Sequence, residues 1–242
     1  MSNTSNFREA FQNARTQSLV GPNVIANALP YVGGGLVLTA AGTYGGLTVL
    51  QTNPQLFMPS FIGAFILELV LFFVAQGAAE KANNTIALPL LATYSLLSGY
   101  TLTGLVALAL SNPEVGIGGV GFAALGCGIT FIVARQIGSN LSDSDGMALT
   151  QTFQLGLIAL LVVLVGQMLF SVFGVYTPTW LEIGISGIGV VLFCGAAVVD
   201  FYILPRTYRN EQYLSAALSM YLTYINLFVF ILRLLIALRG RD

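Results

Sequence analysis

Seven long apolar runs constrain this chain more than any other feature. They cover about Leu29 to Leu50, Phe57 to Ala78, Ile86 to Leu110, Ile117 to Ile137, Met147 to Phe173, Leu181 to Leu204 and Tyr213 to Leu238. A helix of about 20 apolar residues crosses the roughly 30 Å hydrocarbon core of a bilayer. Turn and breaker signals separate the runs: Asn53-Pro54, Asn83-Asn84, Asn112-Pro113, Asp143-Ser144-Asp145-Gly146, Thr177-Pro178 and Pro205-Arg206. The loops are short and carry no inserted domain, and no internal repeat is evident. The pattern predicts an all-α membrane protein with seven transmembrane helices. Residues 1–27 form a polar N-terminal segment and residues 28–242 the membrane domain.

Charge content leads to the same class. Lys+Arg number 9 and Asp+Glu 10, so 8% of 242 residues are charged, against roughly 25% in a soluble domain. Hydrophobic residues make up 56%, and the mean hydropathy is +0.83. So few charges cannot build the polar shell of a water-soluble enzyme. Disorder is excluded too, because disordered chains are poor in apolar residues. A net charge of −1 offers no basic surface for nucleic acid. Histidine is absent, which removes the commonest general base and metal ligand. Proton chemistry would fall to carboxylates, and no cofactor is expected. Cys127 and Cys194 lie in apolar runs and read as small apolar side chains. The first 20 residues are polar, so the first membrane helix is expected to direct insertion.

Basic residues in short loops set orientation. With a cytoplasmic N-terminus, that side receives Arg8, Arg15, Lys81, Arg135, Arg206 and Arg209, and the other side Arg239 and Arg241. The outer loops carry Glu114 and Glu182. Trp180 and Tyr176 suit the outer interface, Tyr208 and Tyr213 the inner one. Asn6 to Gln17 is either a short amphipathic helix on the membrane surface, with an Asn6/Glu9 cap, or a disordered tail. Glycines at 33–35, 42 and 46, at 118, 119, 121, 126 and 128, and at 184, 187, 189 and 195 read as points of close helix approach.

Ionisable groups inside a bilayer cost about 2.5–3.5 kcal/mol each and persist when paired, hydrated or functional. Glu68 lies about 16 Å into the second run, counted from Phe57 at 1.5 Å per residue. It lines a hydrated cavity, meets a cation, or is protonated against a neighbouring helix. Arg233 in the seventh run either snorkels outwards or turns in to pair with Glu68. Asp200, about one turn inside the sixth run, is either an interfacial carboxylate or a gate, with Lys81 and Arg135 as candidate partners. Asn226, Gln154 and Gln167 are weaker polar markers and read as interhelical hydrogen bonds.

The segment SAALSMYLTYINLFVFILRLL, Ser215 to Leu235, resembles the last-helix signature of the transmembrane Bax inhibitor motif family, A-L-x-L-Y-L-D-x-x-N-L-F followed by Arg. Ala217, Leu218, Tyr221, Leu222, Asn226, Leu227, Phe228 and Arg233 match it. VVDFYILPR resembles the family's Asp-bearing sixth helix, and LLATYSLLSGYTLTGL its third. The resemblance implies a central last helix wrapped by the other six, and a calcium-permeable leak gated by protons. It maps the family's Glu and Arg onto Glu68 and Arg233, and its sixth-helix Asp onto Asp200. Asp200 and Glu68 would then be the carboxylates that meet transient calcium. The family's seventh-helix Asp falls on Thr223, a departure that leaves a hydroxyl where two carboxylates would share a proton. The site also has one formal charge fewer for a divalent cation.

The function expected is therefore a passive calcium or other cation leak, or an ion-homeostasis role. The rival expectation is a non-conducting partner of another membrane protein, such as a modulator of a membrane protease or an assembly factor. A secondary transporter would show broken helices and clearer repeats. No hydrolase motif is evident, and the chain is not expected to be an enzyme.

Overall fold

The computed structural model describes residues 19–174 and 177–239. The segment Asn6 to Gln17 and Tyr176 lie outside the described residues. Helices α1 (Val24–Thr52), α2 (Pro54–Glu80), α3 (Asn84–Thr101), α4 (Thr103–Ser111), α5 (Gly116–Gly138), α6 (Asp143–Val172), α7 (Thr179–Thr207) and α8 (Tyr213–Arg239) follow in order. They make seven spans, because α3 and α4 together form the third. Every predicted run is helical, the third as two helices, with ends that lie within a few residues of those expected.

Proline placement explains several boundaries. Pro54 opens α2, where its missing N–H has no helical partner to lose. Pro89 lies in the second turn of α3 and does not interrupt it. The third span instead breaks at Leu102, where no proline stands. Pro205, expected to end the sixth run, sits inside the last turn of α7, which continues to Thr207. Its carbonyl accepts the Gly21 N–H at 3.0 Å.

The last helix is the central one. α8 packs against α7, α1, α5, α2, α3 and α4, while α6 leans chiefly on α7. Burial follows this order. Half of the apolar stretch of α7 is buried, against 6% in α2 and in α6. Small residues bring α7 and α8 together: Ala196, Ala197, Ala216 and Ala217 are all at most 1% exposed. Leu214, Leu218, Met220, Tyr221 and Leu227 fill the space around them. Trp180 is exposed at the start of α7, as an interfacial residue should be.

The glycines divide into two groups. Gly35, Gly42 and Gly46 seat α1 on the third span, and a Cβ at Gly42 would collide with the Leu96 carbonyl. Gly189 lies flat against the Phe230 ring. Gly33, Gly34, Gly118, Gly121, Gly128, Gly184, Gly187 and Gly195 face open space, so most of the predicted glycine contacts are not packing contacts within the chain. A glycine count records no direction, and only the tertiary arrangement says which helix face meets a neighbour.

Candidate functional site

Asp200 stands seven residues before the end of α7, about 10 Å along the helix. It is 6% exposed. Its Oδ1 accepts a hydrogen bond from Ser219 Oγ at 2.9 Å, and its Oδ2 one from Thr223 Oγ1 at 2.6 Å. Ser219 and Thr223 are four residues apart on α8, so both hydroxyls rise from one face. Both carboxylate oxygens are thereby satisfied, as burial of a polar group requires. Thr223 stands beside Asp200, as the family mapping implies. Lys81 and Arg135 do not: both are exposed, and neither makes an ion pair among the described residues. In place of the expected basic partner, two hydroxyls hold the Asp200 carboxylate. Ser219 was not singled out in the sequence, although its spacing from Thr223 is the signal that finds it.

Glu68 lies one residue past the midpoint of α2, with fourteen residues before it and twelve after. It is half-buried and accepts a hydrogen bond from Thr101 Oγ1 at 2.8 Å. Thr101 closes α3, immediately before the break at Leu102, and also donates to the Ser98 carbonyl. The carboxylate faces a cavity of about 320 Å³ between α2, α3 and α8. Asn226 lines the same cavity. Its amide donates to Leu222 O of its own helix at 2.9 Å, so the predicted interhelical bond is absent from the described contacts. Asp200 is not in the wall of this cavity.

The expected Glu68–Arg233 pair does not form. Arg233 instead meets Glu182 of α7: Nη2 lies 2.7 Å and Nε 2.8 Å from Oε1. Gln167 of α6 joins them, donating to Glu182 Oε2 at 3.2 Å and to Thr177 at 3.0 Å. Gln167 thus makes the interhelical bond expected of it, whereas Gln154 is exposed. Depth is the reason for the changed partner. Arg233 is about 9 Å from the end of α8, while Glu68 is about 21 Å from the α2 end on that face. That offset of about 12 Å is larger than the offset from Glu182, which stands three residues into α7, about 5 Å from its end.

Two other polar clusters were missed in the sequence. Inside the bundle, Thr39 Oγ1 meets Tyr221 Oη at 2.6 Å and donates to Ser95 O at 3.1 Å, joining α1, α8 and α3. On the face that bears Lys81, the α7–α8 turn gathers neighbouring segments. Asn23 N–H donates to Asn210 at 2.9 Å, Gln212 to Glu80 O at 2.7 Å and Asn84 to Glu211 O at 3.2 Å. Arg206 stacks over Tyr202 at 4.1 Å and faces Asp143 at 3.4 Å. Cys127 and Cys194 are free thiols.

Among the described residues, no three His, Cys, Asp or Glu side chains come together to hold a metal. Asp200 is not among the residues that line the Glu68 cavity, so the two carboxylates are placed in separate surroundings. Asp200 with two hydroxyls supplies four oxygens, fewer than the roughly six to eight that calcium takes.

Length, hydropathy and packing define a multi-pass integral membrane protein with a buried last helix. The family model described as Inhibitor of apoptosis-promoting Bax1 matches residues 21–240. The chain belongs to this Bax inhibitor family. It is 30% identical over 236 residues to an uncharacterized membrane protein of Streptococcus pyogenes serotype M6, covering 90% of this chain and 95% of that one. It is 29% identical over 214 residues to the uncharacterized protein YrjE of Lactococcus lactis, covering 84% of this chain and 86% of that one. Bax inhibitor 1 of Schizosaccharomyces pombe is 33% identical over 70 residues, 29% of this chain and 26% of that one.

Proposed function

We propose that this protein is a passive cation leak, with calcium as the leading ion and Asp200 as the gating carboxylate. The N-terminus is assigned to the cytoplasm on the basis of the basic residues Lys81, Arg135, Arg206 and Arg209 on that face. The observation that supports the gate is the enclosure of Asp200 at the α7–α8 contact, with both oxygens held by hydroxyls. An ionisable group is costly there, and its partners are exchangeable. A serine or threonine hydroxyl donates to a carboxylate in one rotamer and offers lone pairs to a cation in another. Separation of α7 from α8 would free Asp200, Ser219 and Thr223 together as oxygen ligands, with water and backbone carbonyls completing the shell of a hard cation. Glu68 is the second carboxylate of the path, reached through its cavity. Arg233 and Glu182 tie the opposite ends of α7 and α8 and act as a hinge restraint.

The test is calcium entry into proteoliposomes holding the full chain. Asp200→Asn is expected to change the flux several-fold and Glu68→Gln to reduce it. If both variants leave entry unchanged at every pH tried, the gate assignment is wrong.

A second reading is a non-conducting membrane partner. It draws on the same enclosure, because Asp200 does not open into the Glu68 cavity. This reading predicts no flux above protein-free liposomes for the unmodified chain. It also predicts that deleting residues 2–20 releases a co-purifying membrane protein. Retention of that protein by the deletion would count against it.

A further inference from the structure

We propose that the Glu68 cavity is a binding site for lipophilic amines, entered sideways from the bilayer. The site combines four observations. Glu68 sits midway along α2, where the bilayer is least polar, and no Lys or Arg among the described residues pairs with it. Thr101 donates to it and Ser98 offers a second hydroxyl from the same cavity wall, and a carboxylate with about four lone-pair sites still has accepting capacity beyond these two. The cavity in front of it has about 320 Å³, within the range of small-molecule sites. Its walls are aromatic on two sides: Phe61, Phe65 and Phe72 from α2, and Tyr94 from α3.

The chemistry of these groups selects a cation with an apolar body. A carboxylate attracts an ammonium strongly where water is scarce. Aromatic faces add cation–π attraction, worth more when the cation is desolvated. Asn226 places an amide at the same cavity and offers a carbonyl to a further ammonium hydrogen. The apolar remainder of the ligand meets Phe and Leu side chains. A neutral ligand of the same shape would gain the apolar contacts alone.

The entry route follows from the packing of α2. Phe65 and Leu69 line the cavity and are 47% and 49% exposed on the outside of the bundle. α2 is hardly buried along its apolar stretch, so the cavity opens at membrane depth towards the lipid. An amine that has partitioned into the bilayer reaches Glu68 without crossing the protein. The site shares Glu68 and its cavity with the proposed leak path, but it is read by binding alone, so its failure and the failure of the leak reading are separate results.

The test uses the full chain in phosphatidylcholine nanodiscs, with empty nanodiscs subtracted. The probe is 4-phenylbutylamine, and 4-phenylbutanol is the uncharged control of matching shape. Saturable binding of the amine, at least tenfold tighter than the alcohol, is expected. Glu68→Gln should weaken the amine at least tenfold and leave the alcohol unchanged. Val229→Trp, which fills the cavity from α8, should lose both ligands. No saturable amine binding, equal affinity for amine and alcohol, or amine binding that survives either substitution overturns the assignment.

Discussion

Asp200 and Glu68 carry the same functional group inside the bilayer, yet their surroundings are opposite. Asp200 stands on α7, half of whose apolar stretch is buried, and faces the central helix. Two hydroxyls of α8 saturate its oxygens, and alanines hold the two helices close. Glu68 stands on α2, which packs mainly on α3 and leaves most of its surface to lipid. Thr101 donates to it, Ser98 stands in the same wall, and a cavity lies in front. The chemistry of a carboxylate in a membrane protein is thus decided by the helix that carries it. A carboxylate that faces the central helix is enclosed by partners on that helix. A peripheral helix leaves capacity unused.

The largest expected contrast lies in the glycines of the two helices. Gly189→Ala pushes a methyl into the Phe230 ring at the α7–α8 contact and should cost about 3 kcal/mol, an overpacking penalty. Gly63→Ala on α2 meets nothing and should be neutral or stabilise by up to about 1 kcal/mol through lower chain entropy. Unfolding in mixed micelles measures both, and equal effects would break the comparison.

A smaller contrast is expected at the hydroxyls. Thr223→Val leaves one Asp200 oxygen buried without its donor and should destabilise by about 2 kcal/mol. Thr101→Val removes the Glu68 donor beside a cavity where the carboxylate can rehydrate or turn, and should cost less than about 1 kcal/mol. A greater loss at Thr101 would show that Glu68 is as enclosed as Asp200. The smallest effect concerns the far end of the Asp200 helices. Glu182→Gln keeps a polar contact to Arg233 but removes the charge from a pair whose side chains are 24% exposed, and should lower stability by about 0.5–1 kcal/mol, less in high salt. Insensitivity of that loss to salt would show the pair to be better shielded than its exposure indicates.

Much of this architecture was legible in the runs themselves. Their ends were marked by Asn-Pro, Asn-Asn and Thr-Pro steps, because these residues satisfy or interrupt backbone hydrogen bonding locally. The break at Leu102 was not legible, since no proline or glycine stands at that residue. The site was half legible. Asp200, Glu68 and Gln167 stood out as polar residues in apolar surroundings, and Thr223 came from the family resemblance. Their partners did not: Arg233 turned to Glu182, and Asp200 to Ser219. A run of residues fixes which side chains are present at a given depth, but rotation about the helix axis chooses which neighbour each one meets.

The sequence alone therefore determined the solvent this protein lives in, the number of its spans and the few ionisable groups held within them. Those follow from composition and period, which are local properties of the chain. Tertiary structure decided which carboxylate is sealed and which is open, and which glycines bear on a neighbour. The reason is geometric. In lipid the backbone of each span is satisfied within its own helix, so side-chain contacts between helices alone set their rotation and depth, and those contacts are long-range.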